Sequence, residues 1–170
     1  NVWFAPGCFM VRSSSYLDVN KERKIYEGRS GQNWQMLLPI SYKYKCGYID
    51  EDLYIYVLRK NSHCHNPLDL KDEIDRSFDR ETTIINTINT IDMTDDERNR
   101  YIRIVKEKYI INRFYISCKF EDKKLAKKYY EEMKKYNINT MKSRINHIRM
   151  RSAIINLMYK GVKEIKTRYA

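Results

Sequence analysis

The chain has 170 residues and a formal net charge of +11, from 33 Lys and Arg against 22 Asp and Glu. That length suits one ordinary domain, or a compact domain with an appended subdomain, and argues against two large ones. The positive excess predicts an anionic partner, whether a nucleoside diphosphate, a nucleic acid or an acidic membrane surface, while no apolar run approaches the roughly 20 residues that span a bilayer. The four cysteines, Cys8, Cys46, Cys64 and Cys118, form no CxxC pair, so neither a zinc knuckle nor a dense disulfide framework is indicated, and a reducing compartment is the simpler reading.

In chain order, the first residues are already aromatic and core-like, "NVWFAPG" without a starting Met, as expected of a piece cut from a longer protein. A β-like run follows at "CFMVR". Gln32 to Lys45 then places Trp34, Leu37, Leu38, Ser41 and Tyr42 near helical spacing, and Pro39 inside it predicts a kink or a break. "LYIYVLR" is a second β-like run. Leu53, Ile55 and Val57 alternate there with Tyr54, Tyr56 and Leu58, so both faces are largely apolar, as in a strand covered on both sides.

After Pro67 the texture changes to long helical patterns with a single glycine. A helix is predicted over about 68–91. "TDDERNRYIRIVKEKYIINRFYISCKF" opens with Thr94 and Glu97 in capping-box spacing, and Tyr101, Ile104, Val105, Lys108, Ile111, Tyr115 and Cys118 form its expected inward stripe. "EDKKLAKKYYEEMKKY" is a third helix, acidic at its start and lysine-rich at its end as the macrodipole favours. A fourth is predicted from Asn139 onward, with Met141, Ile145, Ile148, Ile155, Met158 and Val162 facing inward. From Glu121 to Ala170 there are 14 Lys or Arg against five Asp or Glu. This is either a solvated helix face or a surface for an acidic partner.

Three segments stand in a particular order: "APGCFMVR", "GQNWQMLLPISYKYK" and "CGYIDEDLYIYVLRKNSHCH". In this order they resemble the C-terminal half of the catalytic domain of family 2 glycosyltransferases. That family has a strand ending in Arg, then an acidic "ED" pair opening a helix, then a strand and an "ideplYxYRxxxxSxS" segment. The resemblance covers Trp3 to His65. It implies the GT-A fold, and hence an α+β chain: a strand-helix-strand remnant at 1–67, the acceptor-side part of the catalytic domain, packed with a helical extension at 68–170. Two β-like runs without partner strands would favour self-association of the chain.

The implied chemistry is transfer of a sugar from a nucleoside-diphosphate donor to a saccharide or lipid-linked acceptor hydroxyl, in cell-surface polysaccharide or glycolipid synthesis. The implied location is the cytoplasm, with peripheral association at an anionic inner membrane face. A divalent metal, Mn or Mg, is implied for the full-length enzyme, on a DxD of an upstream nucleotide-binding half that these residues do not contain. Asp50 and Asp52 form a D-x-D string, but it falls in the later segment and is assigned no metal role. Without the upstream half the isolated chain is expected to be inactive.

Gln32 and Asn33 stand where the family has its acidic pair, whose Asp is the usual base. An amide cannot take the proton at neutral pH, although it can orient a hydroxyl through both a donor and an acceptor. Asn33 is therefore read as catalytic through positioning, with Gln32 beside it, or else as a helix cap. Glu27 is the nearest acid in sequence. Trp34 would stack on a sugar or base, or belong to the core, and Arg12 would meet a phosphate or a neighbouring carboxylate. Arg59, Ser62, His63 and His65 gather where the family closes a loop over the diphosphate, one His being a possible further metal ligand; His147 reads as structural or surface. The alternative from another class is a basic helical module binding nucleic acid or an acidic protein. No RNP, KH, zinc-finger or helix-turn-helix pattern accompanies the basic helices, so a nucleic-acid partner is not expected.

Overall fold

The computed structural model describes residues 6–25, 31–55, 57 and 68–159. They form an all-α fold. A short 3-10 turn at Pro6–Cys8 precedes α1 (Ser13–Val19), α2 (Gln32–Lys43), α3 (Leu70–Thr90), α4 (Asp95–Lys119), α5 (Lys123–Lys135) and α6 (Met141–Arg151), with residues 153–159 also helical. No strand occurs among the described residues, which corrects the α+β expectation and its strand-helix-strand remnant. The physical reason lies in the two β-like runs. Residues 9–12 of "CFMVR" are irregular and lead into α1, with Met10 98% exposed. Leu53, Ile55 and Val57 are open to solvent as well. A β-rich composition makes a strand only where a second backbone takes up its N–H and C=O groups, and the described residues of neither run have such a ladder.

The chain divides into two compact units, Asn1–Val105 and Lys106–Ala170, the division falling within α4. In the first unit α2 packs on α3 and on α1. Leu37 and Ile40 of α2 are buried, as are Ile84 and Ile88 of α3. Helix α2 continues through Pro39 instead of ending there. Asp69 caps α3 by accepting from Asp72 N at 2.7 Å, so the helix begins two residues inside the predicted start, at Leu70. The buried Thr83 and Thr87 fit the helix interior because Thr87 Oγ1 donates back to Thr83 O at 2.7 Å.

The end of α3 carries no basic residue in its last turn. Arg98, from the first turns of α4, supplies the missing cation: Nη1 donates to Ile88 O at 2.9 Å, and Nη2 to Ile91 O at 3.1 Å and Met93 O at 3.3 Å. One guanidinium thus satisfies three carbonyls at the negative end of a helix dipole. Arg98→Met is expected to cost about 1.5–3 kcal/mol, the range for hydrogen bonds to a charged group. Arg98→Lys should recover little, since an ammonium lacks the planar fork. Urea denaturation of the two variants checks this; equal stability of Lys and Arg would refute the forked contact.

Helix α4 begins with the predicted capping box: Glu97 N donates to Thr94 Oγ1 at 3.3 Å, and Thr94 N to Glu97 Oε2 at 3.4 Å. In the second unit α4 and α5 are joined by a tight left-handed turn. Glu121 has φ 58°, and Asp122 N donates to Ser117 O at 3.0 Å while Glu121 N reaches Cys118 O at 3.4 Å; this is the paired closure of a Schellman turn. Asp122 at once caps α5, accepting from Leu125 N at 2.8 Å. Helix α5 ends the same way on Asn137, φ 55°, with Ile138 N on Met133 O and Asn137 N on Lys134 O, both 3.0 Å. Thr140 and Ser143 then exchange side-chain caps at the start of α6.

The core of this unit is aromatic. Ala126, Tyr129, Tyr130 and Met133 are buried at i, i+3, i+4 and i+7 of α5, the spacing that lines one helix face. Phe114 is fully buried with its ring centroid 5.8 Å from Tyr130, and Tyr130 stacks on His147 of α6 at 3.9 Å and 9°. The inward stripes expected for α4 and α6 are corrected here. Cys118 is buried as expected, but Tyr101, Ile104 and Lys108 are exposed and Phe114 and Ser117 are buried in their stead, while Met141, Ile145 and Ile148 face solvent and Ser143, His147, Arg149 and Met150 are inside. Val162 lies outside the described residues.

Burial, and after it the charge of Arg151, holds the His147 imidazole below its ordinary 6.5, with Glu131 opposing. The unfolded chain therefore takes up a proton near 6.5 that the folded chain refuses until lower pH. The stability from neutral His147 is complete above 6.5 and is lost as pH falls toward the folded value. His147→Phe, which keeps a ring on Tyr130, is expected to flatten the Tm-against-pH curve just below 6.5 relative to the wild type; parallel curves would contradict it.

Candidate functional site

Helix α2 opens on the amide pair. Gly31 precedes it in the left-handed region, φ 89°, and accepts from Trp34 N at 3.0 Å and Gln35 N at 3.2 Å. A Cβ on Gly31 would stand 2.8 Å from Thr83 Cγ2, so the backbone here lies directly on the middle of α3, where only glycine combines this φ with this approach. Asn33 is the second helical residue and not the residue that caps the helix, which is Gly31. It is half-buried, as is Trp34, whereas Gln32 is exposed. Gly31→Ala is expected to cost about 1–3 kcal/mol from backbone strain alone, with displacement of the pair in addition. A thermal melt of this variant checks it, and an unchanged Tm would show that the turn relaxes freely.

The far end of α2 is fastened by charge. Asp18 of α1 accepts from Lys43 Nζ and, at 2.6 Å, from Tyr44 Oη, and these donors, Lys43 first, hold its carboxyl below the usual carboxylate range. Tyr42 Oη donates to Glu97 Oε2 at 3.1 Å. Thr94 and then Tyr42 depress Glu97 in turn. Asp18 and Glu97 are thus held ionised as acceptors, which makes them poor proton acceptors in a reaction.

The first and third quoted segments also meet. The ring of Tyr54 lies on Gly7 so closely that a Cβ at Gly7 would overlap it. Arg12 precedes α1 as its N-cap residue, exposed and without a side-chain cap bond. Glu27, Arg59, Ser62, His63 and His65 lie outside the described residues, so the structure brings together only the Gly31–Trp34 part of the expected site. Asp50 and Asp52 are exposed on an irregular segment, Asp50 accepting from Tyr48 Oη at 3.3 Å. Among the described residues no three His, Cys, Asp or Glu side chains gather as a cation site. The described residues therefore offer no site for a divalent metal.

The reading of the sequence missed two buried arginines, Arg113 and Arg149, while His147, read as structural or surface, is buried with them. Arg113, His147 and Arg149 are at most 9% exposed. Arg113 sits 5.7 Å from the Tyr129 ring, and Arg149 donates to Cys118 O at 3.3 Å with its guanidinium 4.5 Å from the Tyr159 ring. The signal was the abundance of tyrosine, whose faces accept cations. No protein-family model, curated protein or solved structure matches the chain. Among the described residues no helix is long and apolar enough to cross a membrane.

Proposed function

We propose that the chain is the acceptor-side part of a glycosyltransferase that moves a sugar from a nucleoside-diphosphate donor to an acceptor hydroxyl in cell-surface polysaccharide or glycolipid synthesis. The observation that carries this reading is the order of the three segments in the sequence. In the first unit Tyr54 meets Gly7, Asp18 holds the end of α2 and the amide pair opens α2; the strands that the resemblance implies on either side of that helix are absent among the described residues. The reading places the protein in the cytoplasm, with a divalent metal held mostly by residues outside this chain.

In this scheme the Asn33 amide accepts from the acceptor hydroxyl through Oδ1 and donates through Nδ2 to a neighbouring sugar oxygen, fixing the attack direction. The proton leaves to another group, because a carboxamide cannot hold it. Asp18 and Glu97 are engaged elsewhere, and Glu27 is the nearest remaining acid in sequence. Trp34, half-buried one residue on, would flank the sugar with its ring.

The test is label transfer from a panel of nucleoside-diphosphate sugars by the protein that carries this chain behind a nucleotide-binding half. Transfer to a saccharide or lipid-linked acceptor is expected, and no transfer by the 170 residues alone. A coding sequence with no β/α unit and no DxD upstream would sink the proposal.

A further inference from the structure

We propose that the exposed face of α6 is a membrane-docking surface that lies on an anionic lipid bilayer. Met141, Ile145 and Ile148 recur at i, i+4 and i+7, so they form one crest along the helix, and they are 73%, 52% and 52% exposed. The opposite face, with Ser143, His147 and Met150, is buried in the second unit, which fixes the crest outward. At 100° per residue, Lys142 falls on one flank of the crest and Arg144 and Arg151 on the other, all exposed. The sequence holds no acidic residue between Glu132 and Glu164.

The charge pattern selects the occupant. A crest edged by cations on both sides is the arrangement of a helix that lies in the interface plane, apolar side chains at the acyl boundary and cations at the headgroups. A second copy of this chain, paired face to face, would set the same cations against their equivalents, a repulsive contact. A nucleic acid would use the cations and leave the crest in water. An anionic bilayer uses both. This inference stands independently of the sugar-transfer reading.

Co-sedimentation of the full chain with phosphatidylcholine vesicles, with and without phosphatidylglycerol, tests it. Binding is expected to rise with phosphatidylglycerol and fall with salt. Met141→Ser, Ile145→Ser and Ile148→Ser together should weaken it about tenfold or more through lost apolar burial, and neutralising Arg144 or Lys142 should weaken it about fivefold each. Because the three apolar positions are exposed, Tm should be unchanged; should the triple variant fail to fold, Ile145→Trp serves instead, its emission expected to shift to the blue on vesicles against the background of Trp3 and Trp34. Triple-variant binding equal to wild type, or no blue shift, overturns the proposal. So does an absence of vesicle binding together with a wild-type dimer in sedimentation that the triple variant abolishes.

Discussion

Replacing Phe114 by alanine is expected to lower the stability of the second unit by about 3–5 kcal/mol, the range for truncating a fully buried phenylalanine. Phe114 has no exposed surface and sits at the junction of α4 and α5, edge-on to Tyr115 at 5.2 Å and tilted on Tyr130 at 5.8 Å. Tyr130 is in turn one side of the His147 stack. A cavity at this position cannot be closed by a small shift, because the rings against it belong to α4 and α5 and Tyr130 is itself held in the stack on His147. The loss should therefore lie at the high end of the range. Phe114→Leu should cost much less, since most of the volume remains. Chemical denaturation of the two variants measures the difference. Equal midpoints for Ala and wild type would mean that Phe114 is not the packing centre of this unit.

Helix positions were more legible in the sequence than helix orientations. The Thr94 and Glu97 pair announced the start of α4 because a capping box is local chemistry. The acidic start and lysine-rich end of α5 did the same. For α6, the spacing of Met141, Ile145 and Ile148 correctly placed them on one face, but periodicity does not say which face is covered. The buried face instead carries His147 and Arg149, held by Tyr130, Tyr159 and the Cys118 carbonyl, partners distant in sequence. Helix α1 was not foreseen, having seven residues and none of them buried. The β-like runs misled because β-propensity expresses fit to a pleated surface that these segments lack. Of the candidate site, the opening of α2 at "GQNW" was readable. The close approach of Gly31 to Thr83 was not, since it depends on how α2 lies on α3.

The amide pair carries the second large effect. If Asn33 orients the acceptor hydroxyl, Asn33→Ala is expected to lower turnover about a hundredfold, the scale of a small misplacement of a reacting group, while donor binding changes little. Neighbouring Gln32 is exposed, so Gln32→Ala should have the smaller effect. On the proposed sugar-transfer reading, Asn33→Asp puts a carboxylate where a catalytic base would stand and is expected to change turnover as well, upward if the reaction accepts that base and downward if the charge goes unpaired. Steady-state sugar transfer by the protein that carries this chain behind a nucleotide-binding half, measured for wild type, Asn33→Ala and Asn33→Asp beside their melting temperatures, is the most direct test of the sugar-transfer reading. The expected result is altered turnover in both variants with donor KM nearly unchanged. Unaltered turnover in both, with a lowered Tm, would make Asn33 a structural residue of the α2 first turn and contradict the role given to it.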